Sequence, residues 1–191
     1  MPQANRVELL HRIIFGGNIA ILFAGLGRGP LPISFDVVLF LFLLLVLRVK
    51  FWFDDEQYIA DVAAGRLTGG LSYAFGMCLA FLSWFFWYLA GFYVKDVELS
   101  ALFMTCVMGF STLWIVAAMV KRGAYEEQIP WLFFNAFYVG GFLLLRLRSS
   151  AWNPFLKHLD AYTAAVTVGL AGTFLMDLIV TRLLENRRAK T

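Results

Sequence analysis

Charged residues are scarce in this sequence, and their scarcity sets its class. Asp, Glu, Lys and Arg make up 15% of the 191 residues and hydrophobic residues 61%, whereas soluble domains carry roughly 25% charged residues. A soluble globular domain is therefore excluded. Cysteine is also rare, and Cys78 and Cys106 lack the CxxC spacing of a structural metal site. The 16 basic residues exceed the 13 acidic residues by three and form no continuous stripe, so nucleic acid is not an expected partner.

Long apolar runs are what the sequence has in abundance. Six of them occur, at residues 13–26, 35–53, 71–93, 99–120, 131–145 and 162–184. A helix needs about 20 residues to cross a bilayer, so the chain has room for about six spans and for no separate soluble domain. The sequence therefore predicts an all-α, polytopic membrane protein, with six transmembrane helices in a bundle that forms a single domain over residues 1–191.

The basic residues are distributed unevenly between the two sides of such a bundle. Eleven fall on the side of the termini: Arg6, Arg12, Arg48, Lys50, Arg66, Lys121, Arg122, Arg182, Arg187, Arg188 and Lys190. Five fall on the opposite side: Arg28, Lys95, Arg146, Arg148 and Lys157. Because cytoplasmic loops carry the excess of Lys and Arg, both termini are predicted to be cytoplasmic, in a membrane of the bacterial inner-membrane type.

The densest group of charges follows the second apolar run. Asp54, Asp55, Glu56 and Asp61 come within eight residues, and Arg66 follows them. Crowded carboxylates suit a hard divalent cation such as Mg²⁺, which binds through carboxylates and the phosphates of its substrate. An arginine can bind two phosphate oxygens at once. The alternative is a solvated amphipathic connection that lies on the membrane surface with its charges in water.

This region resembles the first aspartate-rich loop of the UbiA-type intramembrane prenyltransferases. The elements shared are a hydrophobic helix ending in Leu47-Arg48-Val49, the acidic cluster Asp54-Asp55-Glu56 with Asp61, and Arg66-Leu67 running through Gly69-Gly70 to Leu71-Ser72. The resemblance implies that Asp54, Asp55 and Asp61 hold Mg²⁺. It also implies that Arg48, Lys50 and Arg66 bind an isoprenoid or other lipid diphosphate. The family has more helices and a second aspartate-rich loop, so the resemblance implies a truncated or divergent member.

A second group of polar residues lies inside the apolar runs. Gly169, Thr173, Asp177 and Thr181 recur every four residues and so share one face of the sixth helix. A carboxylate within a membrane helix costs roughly 2.5 to 3.5 kcal/mol, which makes Asp177 a candidate site. Asn18 lies in the first run and Asn135 in the fifth. We expect that both can contact this face of the sixth helix. The alternatives are that Asp177 reaches water or Arg182, and that the asparagines only join helices.

Three functions from different classes therefore stay open. The first is a UbiA-like prenyltransferase that handles an isoprenoid at the acidic loop. The second is a small oligomeric channel or transporter that uses Asp177. The third is a non-catalytic subunit of a larger membrane complex. The corresponding partners are membrane lipids or an isoprenoid, other copies of the chain, and other membrane subunits.

Overall fold

The part of the chain that the structure describes forms six α-helices. The structure, a computed structural model, describes the backbone of residues 3–28, 32–63, 71–122 and 128–188, and the side chains of residues 9–28, 32–53, 75–117 except 77, 119, and 129–184 except 156. The helices are α1 (Gln3–Leu26), α2 (Phe35–Ala63), α3 (Leu71–Phe92), α4 (Val97–Arg122), α5 (Gln128–Arg146) and α6 (Leu159–Arg188), with a 3₁₀ turn at Leu156–His158. The described residues contain no strand, so the all-α prediction is confirmed.

Five of the six predicted apolar runs lie within one helix each, and the third run passes the end of α3 by one residue, Tyr93. Five helices are longer than their runs, and α1, α2 and α6 exceed them by the most. α1 begins at Gln3, α6 continues to Arg188, and α2 continues to Ala63. The acidic cluster after Phe53, which the sequence predicts to be a connection, has a helical backbone. An apolar run measures only the part of a helix that avoids water, since charged residues near a membrane helix end can project into water while the backbone stays helical.

The six helices contact one another in a closed ring. Passing around it, the order is α1, α3, α4, α5, α6, α2 and back to α1. Large side chains from α2 to α5 fill its interior: Phe40, Leu44, Leu47, Trp87, Met104, Met108, Tyr138 and Phe142, all essentially inaccessible to solvent. α2 and α6 are neighbours although more than ninety residues separate them along the chain.

Small residues allow α1 and α3 to pack closely. A Cβ atom at Gly25 would overlap the backbone carbonyl oxygen of Gly91, and one at Gly17 would overlap the hydroxyl of Tyr88. A Cβ atom at Gly16 would meet nothing within 4 Å. The glycines at the contact therefore let two helix backbones approach more closely than any larger residue would permit.

The outer surface of the bundle is apolar. Within the described side chains, four helices contain stretches long and apolar enough to cross a membrane, at Leu9–Leu26, Val97–Ala117, Ile129–Arg146 and Leu159–Leu184, and α3 has a shorter apolar stretch at Cys78–Phe92. Large side chains such as Phe42, Phe85 and Phe137 are exposed on this surface. Exposed apolar area of this extent requires a lipid environment. The chain is a multi-pass, helical integral membrane protein.

Candidate functional site

Among the described residues, two clusters of buried and partly buried charges lie along the contact between α2 and α6. We define the Asp177 cluster as Lys50, Trp131, Tyr138, Asp177 and Thr181. We define the Arg148 cluster as Asp36, Glu98, Arg146, Arg148 and Thr163. The first lies toward the C-terminal ends of α2 and α6, and the second toward their N-terminal ends.

The Asp177 cluster is built around one buried carboxylate. The Nζ of Lys50 lies 3.2 Å from Oδ2 of Asp177, and the residue Asp177 is 3% exposed. The Tyr138 hydroxyl donates to the same oxygen at 3.4 Å. The Thr181 hydroxyl, one turn along α6, donates to Oδ1 at 3.4 Å and accepts a hydrogen bond from Trp131 Nε1 at 3.4 Å. Three helices, α2, α5 and α6, therefore converge on Asp177.

Arg48 and Lys50 point to different neighbours. Two residues along a helix correspond to a rotation of roughly 200°, so Lys50 faces α6 while Arg48 faces α1 and α3. The Arg48 guanidinium carbon lies 5.2 Å from the Phe15 ring centre and 5.8 Å from that of Trp87, and the residue is fully buried. These are cation–π distances. The two cations are thus held separately inside the bundle.

The two intramembrane asparagines are bonded to other groups. Asn18 Nδ2 donates to the Ile14 carbonyl of its own helix at 2.7 Å. Asn135 Nδ2 donates to Ser111 Oγ at 3.1 Å and so joins α5 to α4. The hydrogen bonds described for these two side chains do not include Asp177.

The Arg148 cluster centres on a guanidinium shared by several oxygens. Arg148 Nη1 donates to the Thr163 hydroxyl at 3.0 Å and lies 3.6 Å from Asp36 Oδ2. Its Nε lies 3.5 Å from Glu98 Oε1, and Arg146 Nη1 lies 3.2 Å from Glu98 Oε2. The residue Asp36 is 3% exposed. Two acids and two bases thus share one partly buried network.

The two clusters are in register along neighbouring helices. Residues 36 to 50 on α2 and 163 to 177 on α6 are both fourteen-residue intervals, which at 1.5 Å per residue is about 21 Å. That separation is shorter than the roughly 30 Å hydrocarbon core of a bilayer. Apolar side chains fill the interval: Phe40, Leu44, Leu47, Phe142, Leu170 and Phe174. Two charged networks are therefore separated by a packed apolar layer.

Sequence reasoning found some of these residues and missed others. Asp177 stood out because it interrupts an apolar run. Asp36 and Arg148 did not, because they lie close to the ends of their runs, where charges are ordinarily interfacial. Tyr138 was missed because an aromatic residue in an apolar run carries no separate signal.

The predicted diphosphate site falls largely outside the described residues. The backbone of Asp54, Asp55 and Asp61 belongs to α2, but their side chains are not described, and neither is any part of Arg66. Within the described residues, no group of three or more His, Cys, Asp or Glu side chains is arranged to hold a metal ion.

Comparison with known proteins yields no relative. No protein-family model, no curated protein and no solved structure matches the chain.

Proposed function

We propose that the chain is a membrane transporter for a small cation, H⁺ included, in which Asp177 is the intramembrane binding group. The observation that carries the proposal is the buried ion pair between Asp177 and Lys50. Buried ion pairs contribute little net stability, because desolvation offsets their attraction. Ionisable residues inside membrane segments commonly mark ion or proton pathways instead.

The surroundings of Asp177 suit an exchange of cations. Its carboxylate oxygens already receive hydrogen bonds from Tyr138 and Thr181, and carboxylate and hydroxyl oxygens are the kind of ligands that hard cations prefer. An entering cation, or a proton on the carboxylate, competes with the Lys50 ammonium group. Release of Lys50 removes the ionic link between α2 and α6, so binding is coupled to the contact between these helices.

The arrangement of the two clusters supports the same function. Each end of the α2–α6 contact carries an ion pair, and a packed apolar layer separates the ends. A carrier must keep one end of its path closed while the other is open. If only one of the two ion pairs, Lys50–Asp177 or Arg148–Asp36, breaks at a time while the apolar layer stays packed, one end of the path opens and the other stays closed.

We further propose that all six helices cross the membrane, in a bacterial-type inner membrane with both termini cytoplasmic. α2 carries charges, but Asp36, Arg48 and Lys50 are turned into the bundle. Its opposite face presents Phe35, Phe42 and Phe53 to the surroundings. α3 has no charged residue between Cys78 and Phe92. Both helices are thus compatible with lipid on their outer faces.

The test is cation flux in liposomes that contain the full chain and a trapped pH-sensitive dye. Under an imposed Na⁺, K⁺ or pH gradient, we expect the wild type to change internal pH faster than protein-free liposomes do. Asp177→Asn should reduce the rate to the protein-free value. The control Asp160→Asn removes an exposed carboxylate from the first turn of the same helix and should retain the wild-type rate. Wild-type flux at background level, or full flux in Asp177→Asn, would refute the proposal.

A second candidate function is the binding of a prenyl diphosphate with Mg²⁺ by Asp54, Asp55, Asp61 and Arg66. The observation that favours it is that α2 continues without a break to Ala63. Lys50 and the acidic segment after it therefore belong to the same helix. A metal-bound diphosphate would then lie between carboxylates and Arg66.

This candidate is tested by binding of a prenyl diphosphate to the purified chain with and without Mg²⁺. Binding should require Mg²⁺ and should weaken at least tenfold in Asp55→Asn and in Arg66→Ala, since each removes a charged contact to metal or phosphate. Lys157→Met, which removes an exposed cation elsewhere, is the control. Equal binding in all variants, or none in the wild type, would leave the acidic segment as a solvated helix end.

A further inference from the structure

We infer that the Arg148 cluster contains a second cation site, in which Asp36 on α2 and Thr163 and Thr167 on α6 supply oxygen ligands to a small monovalent cation. Its role in transport rests on the proposed function, but its binding of a cation does not.

Asp36 provides the first indication. It is buried, and its Oδ1 atom has no hydrogen-bond partner. Its nearest cationic atom described, Arg148 Nη1, lies 3.6 Å from Oδ2, which is too long for a hydrogen bond. A buried carboxylate oxygen without a donor carries an uncompensated desolvation cost. A cation at this oxygen would remove that cost.

Thr167 provides the second, independent indication. It is 1% exposed, and its hydroxyl oxygen has no hydrogen-bond partner. Three helical threonines elsewhere in the described residues bond to the carbonyl four residues earlier: Thr105 to Ala101 at 2.9 Å, Thr112 to Met108 at 2.8 Å and Thr173 to Gly169 at 3.1 Å. Thr167 lacks that bond and lies one turn from Thr163, on the same helix face. Its side chain therefore follows that of Thr163, a member of the Arg148 cluster, one turn along α6.

The charge balance of the network favours a monovalent cation over a divalent one. Asp36 and Glu98 balance Arg146 and Arg148, so the cluster is neutral as it stands. A cation on Asp36 displaces Arg148 from its weakest contact, while Arg148 keeps Glu98 at 3.5 Å and Thr163 at 3.0 Å. No guanidinium is left without an anion. A divalent ion would add twice the charge with no further carboxylate to offset it, so a monovalent cation fits best.

The inferred site completes a pattern along the α2–α6 contact. A carboxylate on α2 stands at one end and a carboxylate on α6 at the other, about 21 Å apart by helix rise. Each is faced by a basic residue of a different segment, Arg148 and Lys50 respectively. A cation that enters at one end thus meets the same chemistry at the other.

The test measures cation binding without transport. The double variant Lys50→Met/Asp177→Asn removes the other candidate site and both of its charges, and it is used as the background. Its melting temperature is followed by tryptophan fluorescence as NaCl or KCl replaces choline chloride at constant ionic strength. We expect a saturable rise in melting temperature with at least one of the two salts.

Two added substitutions decide whether the rise belongs to the inferred site. Asp36→Asn should abolish it, and Thr167→Val should raise the half-saturating concentration roughly fivefold to tenfold, as expected for loss of one neutral oxygen ligand. Thr105→Val, whose hydroxyl bonds only within α4, should leave it unchanged. Equilibrium binding of radioactive Na⁺ to the wild type and to Thr167→Val gives the same comparison without the background substitutions. No saturable rise with either salt, or a rise that survives Asp36→Asn, would overturn the inference whatever the flux assay shows for Asp177.

Discussion

At the scale of single residues, Lys50 and Asp177 depend on each other. Lys50→Met should lower the free energy of unfolding by about 3 to 5 kcal/mol, because it leaves a buried carboxylate without its cation. Adding Asp177→Asn should restore most of that loss, since the amide oxygen still accepts the hydrogen bond from Tyr138. Thermal unfolding of the detergent-purified variants measures both effects.

The exposed Lys157 provides the control for this pair. Lys157→Met removes the same charge from the surface and should change stability by less than about 0.5 kcal/mol. If the double variant is no more stable than Lys50→Met alone, the two charges do not act as a pair.

At this scale, the sequence does not reveal which residues pair with the buried charges. Asp177 is recognisable because a carboxylate in an apolar run is costly. Its pairing with Lys50, rather than with Arg182 five residues away, depends on the contact between α2 and α6. Local spacing does not encode that contact. The same holds for Asp36 and Arg148, which meet only because the start of α2 lies beside the connection between α5 and α6.

At the scale of helices, hydrophobicity predicts their existence better than their ends. All six apolar runs correspond to helices, and the third overshoots the end of α3 by one residue, yet α2 extends ten residues beyond Phe53. Helix propagation needs only backbone hydrogen bonds and tolerates charged residues that reach water. Apolar patterning responds to lipid, so it ends where the membrane ends and not where the helix ends.

The contact between α1 and α3 gives a prediction at the same scale. Gly25→Ala should destabilise the bundle by about 1 to 3 kcal/mol, because the added methyl group overlaps the carbonyl oxygen of Gly91 and neither backbone can yield without separating the helices. Gly16→Ala, on the same helix with open space around it, should be neutral or slightly stabilising. Thermal unfolding in detergent checks the difference. Equal melting temperatures for the two variants would contradict a close contact at Gly25.

At the scale of the whole molecule, the sequence indicates how many helices form but not how they are arranged. Sequence neighbours α3, α4, α5 and α6 follow one another around the ring, but α2 closes it between α6 and α1. That closure brings α2 and α6 together in the same direction and creates the shared register of the two charged clusters. No period or motif in the sequence marks it, since apolar helix faces are chemically alike.

The last prediction concerns the orientation of the whole bundle in the membrane, with both termini in the cytoplasm. Reporters fused at the N-terminus, near Asp55, near Gly123 and at the C-terminus should indicate cytoplasm, and reporters near Gly29, Asp96 and Ser150 the opposite side. The reason is the excess of basic residues on the side of the termini. Two of the eleven basic residues on that side, Arg48 and Lys50, are turned into the bundle. Without them the count is still nine against five, so substituting the other cations is the test of orientation. An external reporter near Asp55 would contradict the predicted orientation and would place the Asp177 cluster toward the outside.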